Sequence, residues 1–169
     1  MRPESITQLT LPLYTVTIPL TKGKVAIVDA CDAERVMAHK WSASYNKGYW
    51  YAQRTTSRLA DHRRISLHRF IMDAPTGVLV DHADGDGLNC RRSNMRFATK
   101  AQNQANSPGH KVGISGYRGV IRYAKGWRAQ MTVNNRRKHI GCFATREEAA
   151  RAYDDAVRAY WGEFAVTNF

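Results

Sequence analysis

The 169-residue chain is poor in cysteine: Cys31, Cys90 and Cys142 stand far apart, and no Cys-x-x-Cys pair occurs. This spacing excludes a structural zinc site of the finger type and predicts no disulfide framework. No run approaches the roughly 18 apolar residues that a membrane-spanning helix needs. The first residues, MRPESITQ, lack the apolar segment of a signal peptide. We therefore expect a cytoplasmic protein with reduced cysteines.

Acidic residues are also scarce. The chain has 26 Lys and Arg against 14 Asp and Glu, a formal net charge of +12. A field of that sign attracts polyanions over about 10 Å at moderate salt. Nucleic acid is the favoured partner, because no long basic amphipathic helix suits an anionic membrane surface. A solvated basic surface is the alternative that charge alone leaves open.

Alternating apolar residues in the first third of the chain predict short antiparallel strands. One hairpin is expected over residues 12–30, with its turn at Lys22-Gly23, and a second over residues 41–54. Asp32 is placed to cap a short helix between them. A short strand at 65–67 and a helical turn at 68–72 follow. The aromatic residues of the second hairpin favour a core position over stacking on bases: Trp41, Tyr45, Tyr49, Trp50 and Tyr51.

Residues 78–106 combine a hairpin with a helix. Val78-Leu79-Val80 leads to Asp81-His82, a Gly-, Asp- and Asn-rich loop follows, and residues 95–98 form the second strand. Thr99 and Gln102 have the spacing of a capping box, so a helix begins near Thr99. Such a ββα unit is too small for a core of its own, but it can hold a cluster of polar side chains.

Four of these side chains can meet at the open edge of the unit: Asp81, His82, Asn94 and Asn103. Asp81 and the Asn103 amide oxygen, with a substrate phosphate, suffice for one Mg²⁺ ion, with Mn²⁺ as the alternative. An imidazole with a pKa near ~6.5 is suited to take a proton from water, so His82 is the candidate general base. Asn94 is expected to brace the loop or His82.

One geometric condition applies to this cluster. Neighbours on a regular strand point to opposite faces, so Asp81 and His82 share a site only if the strand bends, which Gly85 and Gly87 permit. A calcium-binding loop at residues 84–87 is disfavoured, because Met95 stands where an EF-hand needs its bidentate Glu.

A family resemblance rests on His68-Arg69, Val80-Asp81-His82, Asp84-Gly85, Asn94-Met95-Arg96, Thr99 and Asn103. These residues resemble the HNH endonucleases, particularly those of phage homing enzymes. The resemblance implies that Asp81 and Asn103 bind one metal ion, that His82 is the general base and that Asn94 is a structural polar residue of the catalytic site. It also implies metal-assisted hydrolysis of a phosphodiester bond. His68 is either structural or substrate-contacting.

The C-terminal part follows a Gly- and Ser-rich linker at 107–116. Strands are predicted at 117–123, 127–134 and 137–143, and Thr145 with Glu148 forms a second capping box. Period two puts Trp127, Ala129, Met131 and Val133 on the core face of the middle strand. The helix is expected to cover that face with one stripe: Ala149, Ala152, Tyr153, Ala156 and Tyr160.

Four motifs of this part resemble the AP-two, or ethylene-response-factor, DNA-binding domain of plants: residues 117–120, 140–143, 147–154 and 162–169. The resemblance implies that the sheet reads the major groove and that Arg118 is a contacting arginine. Ile121, Gln130 and Thr132 depart from the family pattern, so its sequence preference does not transfer. Predicted DNA contacts on the exposed sheet face are Arg118, Arg122, Arg128, Gln130 and Arg137, with a basic rim at Arg54, Arg58, Arg63 and Arg64.

Together these patterns predict an α+β protein: a β-rich N-terminal part with a ββα-metal unit (1–106), a linker (107–116), and a three-stranded antiparallel sheet packed on one helix (117–169). The predicted function is that of a homing endonuclease that acts on double-stranded DNA in a bacterial or phage-infected cell. A monomer is expected rather than a dimer, and one active site per chain predicts nicking of one strand. The alternatives are a non-catalytic DNA-binding regulator and an RNA-binding module that uses the N-terminal aromatic residues.

Overall fold

A computed structural model describes residues 14–56, 62–107 and 113–169. They form an α+β fold of small antiparallel sheets, as predicted. The chain divides into two compact units: one reaches to Ile71 and includes Gly87–Arg92, and the other comprises Met72–Asp86 and Ser93–Phe169. The predicted linker falls partly outside the described residues, and the predicted domain boundaries stay a prediction. None of the helices in the described ranges has the length and apolar character needed to cross a membrane.

The first unit contains both predicted hairpins. Lys22 and Gly23 turn the first one with φ values of 60° and 64°, the left-handed region that a tight turn requires. The second hairpin pairs with a third strand, Arg64–Ser66, and forms a three-stranded sheet. The elements are β1 (Thr15–Pro19), β2 (Val25–Asp29), α1 (Ala30–Met37), β3 (Ser42–Asn46), β4 (Tyr49–Thr55), β5 (Arg64–Ser66) and α2 (Leu67–Ile71).

The prediction that Asp32 caps α1 is wrong. The helix begins at Ala30, and Asp32 lies inside it with only 3% of its surface exposed. Its two carboxylate oxygens accept hydrogen bonds from Nε and Nη2 of Arg92, each at 2.7 Å. Both carboxylate oxygens are thus engaged by one guanidinium, and this bidentate ion pair ties the segment Gly87–Arg92 into this unit.

The second unit holds the ββα elements and the C-terminal module. Both predicted capping boxes are present, at Thr99 with Gln102 and at Thr145 with Glu148. Because a capping box satisfies free N–H groups locally, it fixes where each helix begins. The elements are β6 (Leu79–His82), β7 (Met95–Ala98), α3 (Lys100–Ala105), β8 (Val120–Tyr123), β9 (Gly126–Val133), β10 (Arg136–Phe143) and α4 (Arg146–Trp161), with 3-10 turns at Arg92–Asn94 and Gly162–Phe164.

The core of the C-terminal module lies between α4 and the sheet β10-β9-β8. The helix buries Ala149, Ala150, Tyr153 and Val157, whereas Tyr160 is 48% exposed. The buried stripe is therefore rotated from the predicted one. The cause is Asp154, which faces inward and accepts hydrogen bonds from the C-terminal residues. The first strand is also shorter than predicted, since it begins only at Val120.

Candidate functional site

The side chain of Asp81 is held from two sides. On the neighbouring strand β7, Arg96 lies directly opposite Asp81, and its Nε donates to Asp81 Oδ2 at 2.9 Å. Asn106 caps the C-terminal end of α3, and its Nδ2 lies 3.1 Å from Oδ1 and 3.0 Å from Oδ2 of Asp81. The same Nδ2 donates to the carbonyl oxygen of His82 at 2.7 Å. Strand and helix thus fix a carboxylate that is only 4% exposed.

His82 is the last residue of β6 and is 6% exposed. Burial lowers the pKa of its imidazole below the ordinary value of 6.5, and the carboxylates of Asp84, Asp81 and Asp86 act in the opposite direction with smaller effects. The neutral imidazole therefore predominates at neutral pH. This is the form that can accept a proton from water.

The chain changes direction directly after His82. The backbone N–H of Gly85 donates to the carbonyl of His82 at 3.0 Å, and Gly85 has a φ of 77°. Of the two glycines expected to permit a bend, Gly85 adopts the left-handed conformation. Gly87 has another reason to be glycine, since a Cβ there would lie 2.4 Å from the carbonyl oxygen of Trp50 within the first unit.

Asn94 braces the loop that follows His82. Its Oδ1 accepts from the backbone N–H of Asp84 at 3.1 Å, and its Nδ2 donates to Asp84 Oδ1 at 2.9 Å. Its carbonyl accepts from the N–H of Ala83 at 2.8 Å. Three hydrogen bonds therefore attach the loop to Asn94, the residue directly before β7. The contribution of Asn94 to catalysis stays a prediction.

Asn103 is exposed on α3. It precedes Asn106 by three residues, so the two side chains lie on one helix face with about 5–6 Å between their Cβ atoms. Asn103 therefore lies about one helical turn from the residue that contacts Asp81. The residue in hydrogen-bond contact with Asp81 is nevertheless Asn106, and metal binding by Asn103 stays a prediction.

The strand register of the C-terminal sheet determines which side chains face away from α4. Ala129, Met131 and Val133 of β9 are buried in the core with that helix. The intervening residues of β9 and their partners in β8 and β10 form the outer face. The outer face comprises Ile121, Tyr123, Arg128, Gln130, Thr132, Arg137, His139 and Cys142.

Three of the predicted DNA-binding residues lie on this outer face: Arg128, Gln130 and Arg137. Cζ of Arg128 lies 3.3 Å from the centroid of the Tyr123 ring, so the guanidinium stacks on that ring. The outer face therefore presents two arginines, an amide and a tyrosine together. Each can contact a phosphate or a base edge.

The prediction that Arg118 and Arg122 project from the outer face is wrong. Within β8, Arg122 has the same parity as Val120, which is buried toward α4. Arg122 is paired in register with Trp127 and lies over its ring at 5.2 Å. Arg118 precedes β8 and is 9% exposed, and its Nη2 donates to the carbonyl oxygen of Ser107. Contact of either residue with DNA stays a prediction.

The predicted basic rim belongs to the first unit. Arg63 and Arg64 are exposed, whereas Arg54 is half-buried with Cζ 5.7 Å from the Trp41 ring and 5.6 Å from the Phe70 ring. Arg58 lies outside the described residues. DNA contact by all four arginines stays a prediction.

The N-terminal aromatic residues divide between core and surface. Trp41 is buried and donates from Nε1 to the carbonyl of Val36 at 2.8 Å, whereas Tyr45 is 58% exposed. His68 is half-buried, with its ring 6.1 Å from that of Tyr51. The cluster thus belongs only in part to the core.

Comparison with known proteins agrees with the ββα geometry. The HNH endonuclease family model matches residues 68–105. An HNH endonuclease of Acanthamoeba polyphaga mimivirus is 31% identical over 141 residues, which cover 79% of this chain and 73% of the viral protein. The chain belongs to the HNH endonuclease family. These matches support a DNA endonuclease.

A second set of relatives consists of plant proteins. The AP2/ERF and B3 domain-containing transcription repressor TEM1 of Arabidopsis thaliana is 40% identical over 70 residues, which cover 41% of this chain and 19% of the repressor. The ethylene-responsive transcription factor WRI1 of the same plant is 28% identical over 160 residues, 88% of this chain and 30% of that factor. This HNH protein therefore combines an HNH segment with an AP2-like segment.

Two residues of the site were missed from the sequence, Arg96 and Asn106. Arg96 could have been found from the predicted hairpin, since pairing residues 79–82 with 95–98 sets it opposite Asp81. The sequence gives less indication that Asn106 belongs to the site. An asparagine at the end of a helix is ordinarily explained as a cap, and only the packing of α3 on β6 brings it to the carboxylate.

Proposed function

We propose that this protein is a DNA endonuclease of the homing type that hydrolyses phosphodiester bonds with one divalent metal ion and nicks one strand. The observation that carries this proposal is the arrangement of Asp81 and His82. A buried carboxylate and a buried, neutral imidazole lie on adjacent residues at the end of β6, and the carboxylate is oriented by an amide and a guanidinium. Membership of the HNH family supports the same conclusion.

The donor set fits a hard cation such as Mg²⁺. An ionised carboxylate has about four acceptor positions, and Asp81 uses three, two toward Asn106 and one toward Arg96. Among the residues that the structure describes, no group of three His, Cys, Asp or Glu side chains could hold a metal. Mg²⁺ takes few protein ligands and keeps several waters, so a group of three is not required. Asp81 and Asn103 would hold it.

The cation, when bound, would stabilise the negative charge on the phosphate and on the leaving 3′-oxygen. His82 would take the proton from the attacking water, and burial of the imidazole keeps it in the required neutral form. Asn94 would keep the loop beside His82 in place. The expected products carry a 5′-phosphate and a 3′-hydroxyl, and a monomer would leave a nick.

DNA would be bound through the outer face of the C-terminal sheet. Arg128, Gln130 and Arg137 share that face, and the net charge of +12 attracts a polyanion from a distance. A narrow antiparallel sheet of this kind fits the major groove. Arg63 and Arg64 of the first unit would add phosphate contacts.

Arg128→Ala is expected to weaken binding to double-stranded DNA and to reduce the slope of log affinity against log salt by about 1, if Arg128 contacts a phosphate. Arg158→Ala is the matched control, because Arg158 is exposed on α4, which covers the opposite face of the sheet, and should affect binding less. Titration of labelled duplex DNA at several salt concentrations measures both. Equal losses for the two variants would contradict the assignment of the outer face as the binding surface.

The proposal is tested by incubating supercoiled plasmid with the full chain and Mg²⁺, and then with EDTA in place of the metal. Relaxed plasmid that forms only with Mg²⁺ is the expected result. A non-catalytic DNA-binding regulator is the second candidate, favoured by the plant transcription factors among the relatives and by the pairing of Asp81 with a guanidinium. Plasmid that is bound but never cut with any divalent metal would support the regulator.

A further inference from the structure

Arg96 connects the ββα unit to the C-terminal module within the second unit of the chain. While its Nε donates to Asp81, its Nη1 donates to the carbonyl oxygen of Glu163 at 2.7 Å, 67 residues further along the chain. The same Nη1 lies 3.6 Å from the Glu163 carboxylate. Glu163 belongs to the 3-10 turn Gly162–Phe164 that follows α4. One guanidinium therefore joins the candidate metal ligand to this turn.

Phe164 of the turn supports the guanidinium from one face. Its ring is 6% exposed, and the ring centroid lies 3.9 Å from Cζ of Arg96. Nη2 of Arg96 is buried without a hydrogen-bond partner among the described residues, which is a costly state for a charged donor. The aromatic stack and the two bonds made by Nε and Nη1 compensate for that cost. The turn thus holds Arg96 against Asp81.

The charge of Arg96 opposes binding of a cation at Asp81. A full positive charge 2.9 Å from the carboxylate oxygen reduces the attraction that a divalent ion would feel there. Asn106 orients the same carboxylate with a neutral amide. Both residues therefore orient Asp81, but only Arg96 also neutralises part of its charge, and the two residues can be changed separately.

We propose that Arg96 is a positioning residue that competes with the divalent cation for Asp81, and that the turn Gly162–Phe164 sets the strength of this competition. The C-terminal module thereby controls the cation affinity of the ββα unit. This inference rests on the proposed use of a cation at Asp81.

The test measures Mn²⁺ affinity of the full chain by calorimetry in the absence of DNA, so that it does not depend on cleavage. Arg96→Gln removes the competing charge and should tighten Mn²⁺ binding by about tenfold. Arg96→Lys keeps the charge but not the planar geometry, and its Mn²⁺ affinity should lie within about threefold of the wild-type value.

Phe164→Leu tests the part played by the turn. It should loosen Arg96 and tighten Mn²⁺ binding by about threefold in the wild-type background, with no further effect in Arg96→Gln, because both changes act through the same guanidinium. Phe169→Leu is the matched control, since it removes another aromatic ring of the same module that stacks on an arginine, Arg151, and it should leave Mn²⁺ affinity unchanged. Thermal unfolding is recorded for each variant. If Arg96→Gln does not fold, the comparison of Phe164→Leu with Phe169→Leu still decides the result.

Unchanged Mn²⁺ affinity in Arg96→Gln, or equal effects of Phe164→Leu in both backgrounds, would overturn this inference. Asp81→Asn separates that failure from failure of the proposed function. If wild type and Asp81→Asn bind Mn²⁺ equally, the proposed cation site itself is wrong. If binding requires Asp81 but is insensitive to Arg96 and Phe164, the cation site stands and only the coupling is wrong.

Discussion

His82→Ala is expected to lower the rate of DNA cleavage by about a thousandfold, the usual contribution of a general base. The imidazole is buried at the end of β6, and burial lowers its pKa, so that it is neutral and ready to accept a proton at physiological pH. DNA affinity should change little, because the predicted DNA contacts lie on other elements. Single-turnover cleavage and binding to labelled duplex DNA are measured on the same preparations.

Two further variants make this prediction specific. His82→Gln keeps most of the side-chain volume at a buried position, and it should be as inactive as His82→Ala if the proton transfer matters rather than the packing. His62→Gln changes an exposed histidine of the first unit and should cleave like the wild type. Equal losses of cleavage and DNA affinity in the His82 variants would mean that His82 has a structural role.

Asp154→Asn is expected to lower the free energy of unfolding by about 3 kcal/mol, because hydrogen bonds to charged groups are strong and a buried donor left unpaired is costly. Asp154 is 1% exposed on α4. Its Oδ1 accepts from the backbone N–H and the Nδ2 of Asn168 at 2.8 and 2.9 Å, and its Oδ2 accepts from the N–H of Phe169 at 2.9 Å. An amide at this position would set one N–H group against another.

The effect extends beyond the C-terminal residues. Asn168 in turn accepts from the backbone N–H of Arg118 at 2.7 Å, so the carboxylate indirectly fixes the segment that leads into β8. Asp155→Asn is the matched control, since the neighbouring carboxylate is 80% exposed and 3.6 Å from Arg158. Exposed pairs of this kind often contribute nothing measurable. Denaturant unfolding of the full chain compares the two variants, and equal stabilities would contradict the role assigned to Asp154.

Local sequence signals predicted much of the fold. Thr99 with Gln102 and Thr145 with Glu148 set the starts of α3 and α4, since a capping box involves only neighbouring residues. Alternation along β9 predicted its buried face for the same reason. The pairing of β6 with β7 followed from one hairpin loop. Features set by short stretches of chain were therefore accessible without the structure.

Features that depend on long-range packing were not predicted. A carboxylate on a helix is ordinarily expected in solvent, so the sequence does not predict Asp154 in the buried stripe, although C-terminal residues bind its carboxylate. Arg118 was placed on the exposed face because its motif resembles one that contacts DNA, yet it lies before β8 and is buried. Asn106 reaches Asp81 only through the packing of α3 against β6. In each case the partner is distant in sequence.

The most direct measurement of the central claim is strand-resolved mapping of DNA ends after incubation of the full chain with double-stranded DNA and Mg²⁺. We expect nicks that recur at particular positions on one strand, carry a 5′-phosphate and a 3′-hydroxyl, and are absent with EDTA or with His82→Ala. DNA that stays intact on both strands while the protein is bound to it would contradict the account, and the chain would then be a DNA-binding protein without nuclease activity.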